Sequence, residues 1–333
     1  MKRLVNLLVK VVLPLLLAVA ILWWMYRGFR WDEVRQALSD GMRWEWMILS
    51  LPFGVLAQVF RALRWRQALE PGGATPRRSV CINAVFLSYA SSLVVPRVGE
   101  FLRCGVLTRW EGIGFSRSLG TVLCERVVDM LLLLVLALIT VLWNIPLFAD
   151  FLSSTGVSVG ALLAGFTATG YLVTILSALV AVGTMLYLGY RLHFFDRTRS
   201  ALHDLVGGLL SIRQVSGKWI FLMHSLGIWA AYYLHFYLTF SCFSATEHLS
   251  LMPALVAFVV GTFAVLVPTP NGAGPWHFAV KTVLVLYGVA DTQAALFVLI
   301  VHTVQTLLVL LLGLYAQGAL FLTRKRGNLG EVL

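Results

Sequence analysis

Charge is scarce in this chain. Asp, Glu, Lys and Arg together make up 12% of its 333 residues, about half the share usual in soluble domains. Hydrophobic residues make up 59%, and several apolar runs approach the roughly 20 residues needed to span a bilayer. A soluble fold is therefore excluded. Acids are scarcer than bases, giving a net charge of +11. The Lys and Arg residues stand in short stretches between apolar runs, which is the positive-inside bias of a membrane protein rather than a nucleic-acid surface. No nucleic acid is expected as a partner. Cysteine is sparse too: Cys81, Cys104, Cys124 and Cys242 show no CxxC spacing. They read as small buried hydrophobes, not as a disulfide framework or a metal site. The chain also lacks GxSxG, a phosphate-binding glycine loop, a dinucleotide fingerprint and a DxD pair in any loop, so neither enzymatic activity nor a cofactor is expected.

What remains is an all-α polytopic membrane protein, read as one integral domain over residues 1–333. Lys2, Arg3 and Lys10 precede a first apolar run, residues 4–26, that ends in Trp23-Trp24. No small-residue cleavage site follows, so it reads as an uncleaved span with an interfacial aromatic belt, kinked at Pro14. Five further spans are expected at about 44–60, 119–143, 170–190, 219–243 and 292–322. The segment holding Arg61, Arg64, Trp65 and Arg66 reads as a cytoplasmic loop, with Arg64-Trp65 as an anchor. Residues 144–157 hold no Lys or Arg and should lie outside. Residues 191–218 should be a basic cytoplasmic stretch with a surface helix, and Arg324-Lys325-Arg326 marks a cytoplasmic end. Both termini are thus cytoplasmic, and the location is the cytoplasmic (inner) membrane of a prokaryote.

Two apolar segments do not fit as spans. Residues 79–96 are short, carry Asn83, Ser88, Ser91 and Ser92, and would start and finish inside, with the basic segment 97–117 cytoplasmic. Residues 251–287, broken at Thr269 to Gly274, would start and finish outside. Each should be a re-entrant broken-helix hairpin, the first turning near Ser91-Ser92. A hairpin from inside plus an outward span (79–145) is mirrored by a hairpin from outside plus an inward span (251–322). Inverted repeats with broken helices are a transporter architecture, because irregular backbone at bilayer depth must line a cavity or be buried in protein.

The polar residues cluster at these places. On a helix starting after Pro96, Arg97, Glu100 and Arg103 share one face, with Gly99 between them. Glu125 and Asp129 stand four apart on the next span, with Arg126 beside Glu125. Charge at that depth tends to face a protein interior and to be functional. Arginine forks hold phosphate bidentately, so the set reads as a head-group site, or else as interfacial ion pairs that anchor span ends by snorkelling. The second break, with Asn271, Gly272 and Gly274, can present backbone N–H groups at a half-helix start, or can be an ordinary turn. His277 follows it and His302 lies in the last span, with no spacing that suggests zinc. Lys281 is either a lipid-phosphate contact or a snorkelling side chain. Asn83 and Gln305 suit packing hydrogen bonds, and Gly261 a close helix approach.

The order Arg64-Trp65, Pro96-Arg97-Val98-Gly99-Glu100 with Arg103, then Glu125-Arg126 with Asp129 closely resembles the lysylphosphatidylglycerol synthase transmembrane-region family, whose members are described as flippase-like. The resemblance covers nearly the whole chain. It implies a lipid flippase acting beside a separate aminoacyl-transfer domain. That domain is not expected in this sequence, so lysyl transfer is not carried over. The family pattern at the second break runs Pro-Gly-Gly-x-Gly-x-x-Glu, with an arginine in the last span. This chain has Pro270-Asn271-Gly272-Ala273-Gly274-Pro275-Trp276-His277, and His302 at the arginine position. A paired change to histidine implies that the two face each other, and that activity changes between about pH 5 and 8.

The expected function is translocation of an anionic or aminoacylated phospholipid, or of a polyprenyl-phosphate-linked lipid. The partners expected are membrane lipids and a separate lipid-modifying enzyme. Two alternatives stand beside it: a membrane-embedded enzyme acting on a polyprenyl-phosphate, with Glu100 or Asp129 as base, and a non-transporting scaffold for envelope lipid synthesis.

Overall fold

Helices with an apolar stripe are stable only when the stripe is covered, and here helices cover one another. The computed structural model describes residues 16–27, 32, 42–145, 215, 217–267 and 269–323. Over these the chain is all-α. The helices are α1 Leu16–Tyr26, α2 Trp44–Leu69, α3 Arg78–Ser91, α4 Val98–Glu111, α5 Phe115–Trp143, α6 Lys218–Tyr237, α7 Leu251–Ala264, α8 Pro275–Leu286 and α9 Asp291–Leu322. By length and composition α2 and α9 can cross a membrane. The expectations for residues 4–15 with the Pro14 kink, most of 28–41, the span 170–190, nearly all of 191–218 and the end at 324–326 lie outside the described residues.

Two expected boundaries are corrected. The second span does not stop at Phe60: α2 runs on to Leu69, so Arg61 and Arg64 lie within it. Both are buried, as is Trp65, so Arg64-Trp65 is not a cytoplasmic anchor. The helix continues because Ala57, Ala62, Ala68 and Leu69 keep its apolar face covered, and it stops at Pro71 and a left-handed Gly73 whose N–H returns to Glu70 O. The first hairpin also does not close within residues 79–96 but takes its returning limb from the segment 97–117. That segment contains α4, whose Arg103, Cys104, Val106 and Leu107 are buried.

Helix α4 is the returning limb of a hairpin. The Ser91 and Ser92 hydroxyls both donate to Ser88 O, at 2.9 and 3.0 Å, a local bond that competes with continued helix. The chain then reverses through Arg97, which takes a left-handed φ of 63°. At Gly99 a Cβ would strike the Ser88 carbonyl, so the limbs touch backbone to backbone. Their open ends meet where Arg77 Nε lies 2.6 Å from Glu111 Oε1. Helices α7 and α8 form a second hairpin around residues 265–274, and Gly261 lies against Val280 and Trp276 there.

Contacts between helix ends show which way each hairpin opens. At one end of the bundle, Trp110 Nε1 donates to Leu320 O at 3.0 Å, and Gln67 Nε2 donates to Gly217 O at 3.1 Å. The α3–α4 hairpin opens at this end. At the other end, Arg43 pairs with Glu247, Tyr287 OH donates to Asn144 Oδ1 at 3.2 Å, and Tyr26 OH donates to Ala295 O at 3.2 Å. The α7–α8 hairpin opens here. The tips meet between these ends, where Arg97 Nη2 donates to Leu266 O at 3.3 Å.

Aromatic packing holds the second hairpin to α6 and α9: the Phe236 ring centroid of α6 lies 6.1 Å from that of Phe258, 6.0 Å from that of Trp276 and 6.2 Å from that of Phe297. Around the first hairpin, Trp65, Val80, Ala84, Leu107, Val122 and Leu320 are buried together. Helix α9 crosses α3 closely, because at Gly313 a Cβ would strike Ala90. Gly313→Ala is therefore expected to cost about 1–3 kcal/mol through overpacking. At Gly318 nothing lies within 4 Å, so Gly318→Ala should be neutral or slightly stabilising through helix propensity. Thermal unfolding of both variants in detergent checks the contrast.

Candidate functional site

Three helices converge on one charged network. Arg61 and Arg64 stand three apart on α2, Glu100 and Arg103 three apart on α4, and Glu125 and Asp129 four apart on α5, so each pair shares a helix face. Asp129 receives Arg61 Nη1 at 2.5 Å and Arg64 Nη2 at 2.7 Å. Glu125 lies 3.4 Å from Arg64 Nε and 2.9 Å from Arg103 Nη1. The second of these ion pairs falls short of hydrogen-bond geometry at Oε2. Glu100 meets Arg126 Nε at 2.7 Å, and Arg126 Nη1 reaches toward Asp129 at 3.7 Å.

The network is asymmetric in burial and in charge. The side chains of Arg64 and Glu125 are 0% exposed, whereas Arg126 is 42% exposed. The chain of pairs thus runs from a sealed interior to the surface, where Phe101 and Val127, the chain neighbours of Glu100 and Arg126, are exposed. Four guanidiniums (61, 64, 103 and 126) face three carboxylates (100, 125 and 129), which leaves one positive charge in excess. Arg61 Nε and the Nε and Nη2 of Arg103 are buried without a hydrogen-bond partner. Such donors are costly to leave unmade, and together they suit an anion. Arg103 is held from one side by Trp65, its guanidinium 4.6 Å from the ring centroid, and Trp65 Nε1 donates to Thr121 Oγ1 at 3.0 Å. Arg64 is steadied by Ser225 Oγ at 3.3 Å.

The second constellation lies at the other hairpin break. Asn271, at φ 51°, and Arg97 are the non-glycine residues with positive φ among those described, one at each break. His302 Nε2 donates to Asn271 O at 3.1 Å. Thr306 Oγ1 in turn lies 3.4 Å from His302 Nδ1 and accepts from Asn271 Nδ2 at 2.8 Å. This closed ring pins the left-handed residue. Gly274, at φ 89°, donates its N–H to His277 Nδ1 at 3.3 Å. The His277 and His302 rings face each other with centroids 4.3 Å apart, as their paired departure from the family pattern implied. Gly272, also at positive φ, turns the chain against Val265.

The structure therefore sorts the candidate residues. Glu100, Arg103, Glu125, Arg126 and Asp129 come together. Arg97 stands apart from them, exposed at the hairpin tips, because its left-handed backbone removes it from the helix face that Glu100 and Arg103 share. Asn271, Gly272, Gly274, His277 and His302 form the second group. Lys281 belongs to neither and pairs with Asp291 at 2.8 Å. Sequence reasoning missed Arg61, Arg64 and Thr306 as site residues. The signal for the first two was the spacing of three within a segment whose apolar face had not ended. All four cysteines are buried free thiols, as their apolar settings indicated.

The family model for the lysylphosphatidylglycerol synthase TM region matches residues 11–313. No curated protein and no solved structure gives a match.

Proposed function

Because this chain belongs to the lysylphosphatidylglycerol synthase transmembrane-region family, and so is a transmembrane protein of lipid metabolism or transport, we propose that it translocates an anionic lipid whose phosphate is held by the arginine network. The observation that carries this reading is the excess guanidinium charge with its unpartnered N–H groups on Arg61 and Arg103. Arginine is suited to a phosphate because its planar fork offers parallel donors. The half-exposed Glu100–Arg126 pair would be the lateral entrance from the bilayer, and Arg126 would move between Glu100 and the incoming head group. Arg64, Glu125 and Asp129 would set the floor of the site.

The two oppositely opening hairpins would be re-entrant and related as an inverted repeat, with tips at mid-membrane as in transporters. The Arg97–Leu266 contact would then close the path between the network and the His277–His302 break. The end of the bundle that carries Arg66, Arg77, Arg78, Arg109 and Arg117 would be cytoplasmic, in the inner membrane of a prokaryote. A separate lipid-modifying enzyme would supply or consume the lipid, and this chain would itself catalyse no bond change.

A photoactivatable phosphatidylglycerol should label the 97–129 region. Arg103→Gln should lower that labelling about tenfold, the worth of one charge-assisted hydrogen bond. Equal labelling by a neutral diacylglycerol probe would overturn the assignment.

A further inference from the structure

At the end of the bundle opposite the arginine network, a cleft of about 240 Å³ lies between α1 and α8. Its polar wall is the Lys281–Asp291 pair, with Nζ 2.8 Å from Oδ1. Its apolar walls are Trp24, Phe278 and Val285. Trp24 and Phe278 meet at a tilt with ring centroids 6.0 Å apart, and all three apolar residues have exposed side chains. The cleft is smaller than the roughly 300–1,000 Å³ pockets that enclose drug-sized molecules. It suits a head group, with the attached chains left outside along the exposed apolar face.

The two charges differ in access. The Lys281 side chain is 17% exposed and fixed against the cleft wall, while Asp291, the first residue of α9, is 69% exposed. A fixed cation beside a reachable anion complements a ligand that carries a phosphate and an ammonium a few bonds apart. We propose that this cleft binds the head group of a zwitterionic aminophospholipid, its phosphate on Lys281 and its ammonium shared between Asp291 and the face of Trp24. Cations are attracted to the faces of tryptophan rings, and a primary ammonium, unlike a trimethylammonium, also donates hydrogen bonds to a carboxylate. A purely anionic lipid would meet Asp291 with like charge. The site is distinct from the arginine network. With the orientation proposed above it would face the outer leaflet, and only that placement rests on the proposed orientation.

Native mass spectrometry of the delipidated full chain tests this, with dioleoyl phosphatidylethanolamine, its N-methylated series up to phosphatidylcholine, and phosphatidylglycerol as probes. The wild-type chain should bind the ethanolamine lipid about tenfold more tightly than the choline lipid, the worth of the charged hydrogen bonds that methylation removes. Asp291→Asn should erase that preference, and Lys281→Met should weaken both lipids. The double variant Glu100→Leu/Arg126→Met, altered only at the arginine network, should keep the preference while losing phosphatidylglycerol. Equal binding of ethanolamine and choline lipids by the wild type would overturn the proposal, and that comparison requires no variant to fold. A preference that survives Asp291→Asn would overturn it as well. Because the readout is binding at this cleft, failure of translocation would leave the result unaffected.

Discussion

Asp129→Asn is expected to destabilise the folded chain by about 3–5 kcal/mol, the cost of removing one member of a buried charged set. Asp129 is the acceptor for both Arg61 and Arg64, at 2.5 and 2.7 Å, and it is buried. The asparagine keeps the shape but not the charge, so two buried guanidiniums are left with Glu125 as their nearest counterion. The excess positive charge rises from one to two. Burying ions without compensation is the unfavourable step, not the loss of mutual attraction. The measurement is unfolding in mixed micelles, against Arg43→Ala as a reference. Arg43 pairs with Glu247 at an exposed end of the bundle, where an ion pair contributes about 1 kcal/mol or less. A loss for Asp129→Asn no larger than that of the reference would mean that the network is hydrated rather than sealed.

The double replacement Glu100→Leu/Arg126→Met is expected to do the reverse: to leave stability nearly unchanged while removing function. Both members of the pair go together, so no orphaned charge remains, and replacing a whole ion pair by apolar groups of similar volume is often neutral or stabilising. The apolar pair would also match its neighbours Phe101 and Val127, which are exposed beside it. Transport should nevertheless fall about 10- to 150-fold, because one charge-assisted hydrogen bond to the head group contributes about 1.5–3 kcal/mol. The check is lipid flux and unfolding measured on the same purified sample. A variant that folds normally and transports normally would remove Arg126 from the entrance.

Much of the site was legible in the sequence, and the rest was hidden for a definite reason. Glu125 and Asp129 stood out because acids four apart inside an apolar run have few structural excuses. The second break was visible as a dense run of Pro, Asn and Gly, and the facing of His277 and His302 followed from their joint departure from a family pattern. Arg61 and Arg64 were not legible as site residues. Arginine in a membrane chain ordinarily marks a loop, and nothing local shows that a partner will arrive. Their acids stand 61 to 68 residues further along, a distance over which sequence spacing carries no information about contact. The same misreading left α4 outside the first hairpin, as a basic cytoplasmic segment: its charges were visible, while the burial of Cys104, Val106 and Leu107 against Trp65 and Val80 was not. Arg97 was misplaced by one backbone angle. Helical spacing put it on the face of Glu100 and Arg103, and a left-handed φ of 63° turned it toward the other hairpin.

The direct test of the central claim is head-group-resolved lipid translocation in proteoliposomes of the purified wild-type chain, with Glu100→Leu/Arg126→Met beside it. The account predicts protein-dependent movement of at least one phosphate-bearing anionic lipid, and its loss in the folded double variant. Absence of movement for every anionic phospholipid and polyprenyl-phosphate tested, in a wild-type protein shown to be folded, would contradict it.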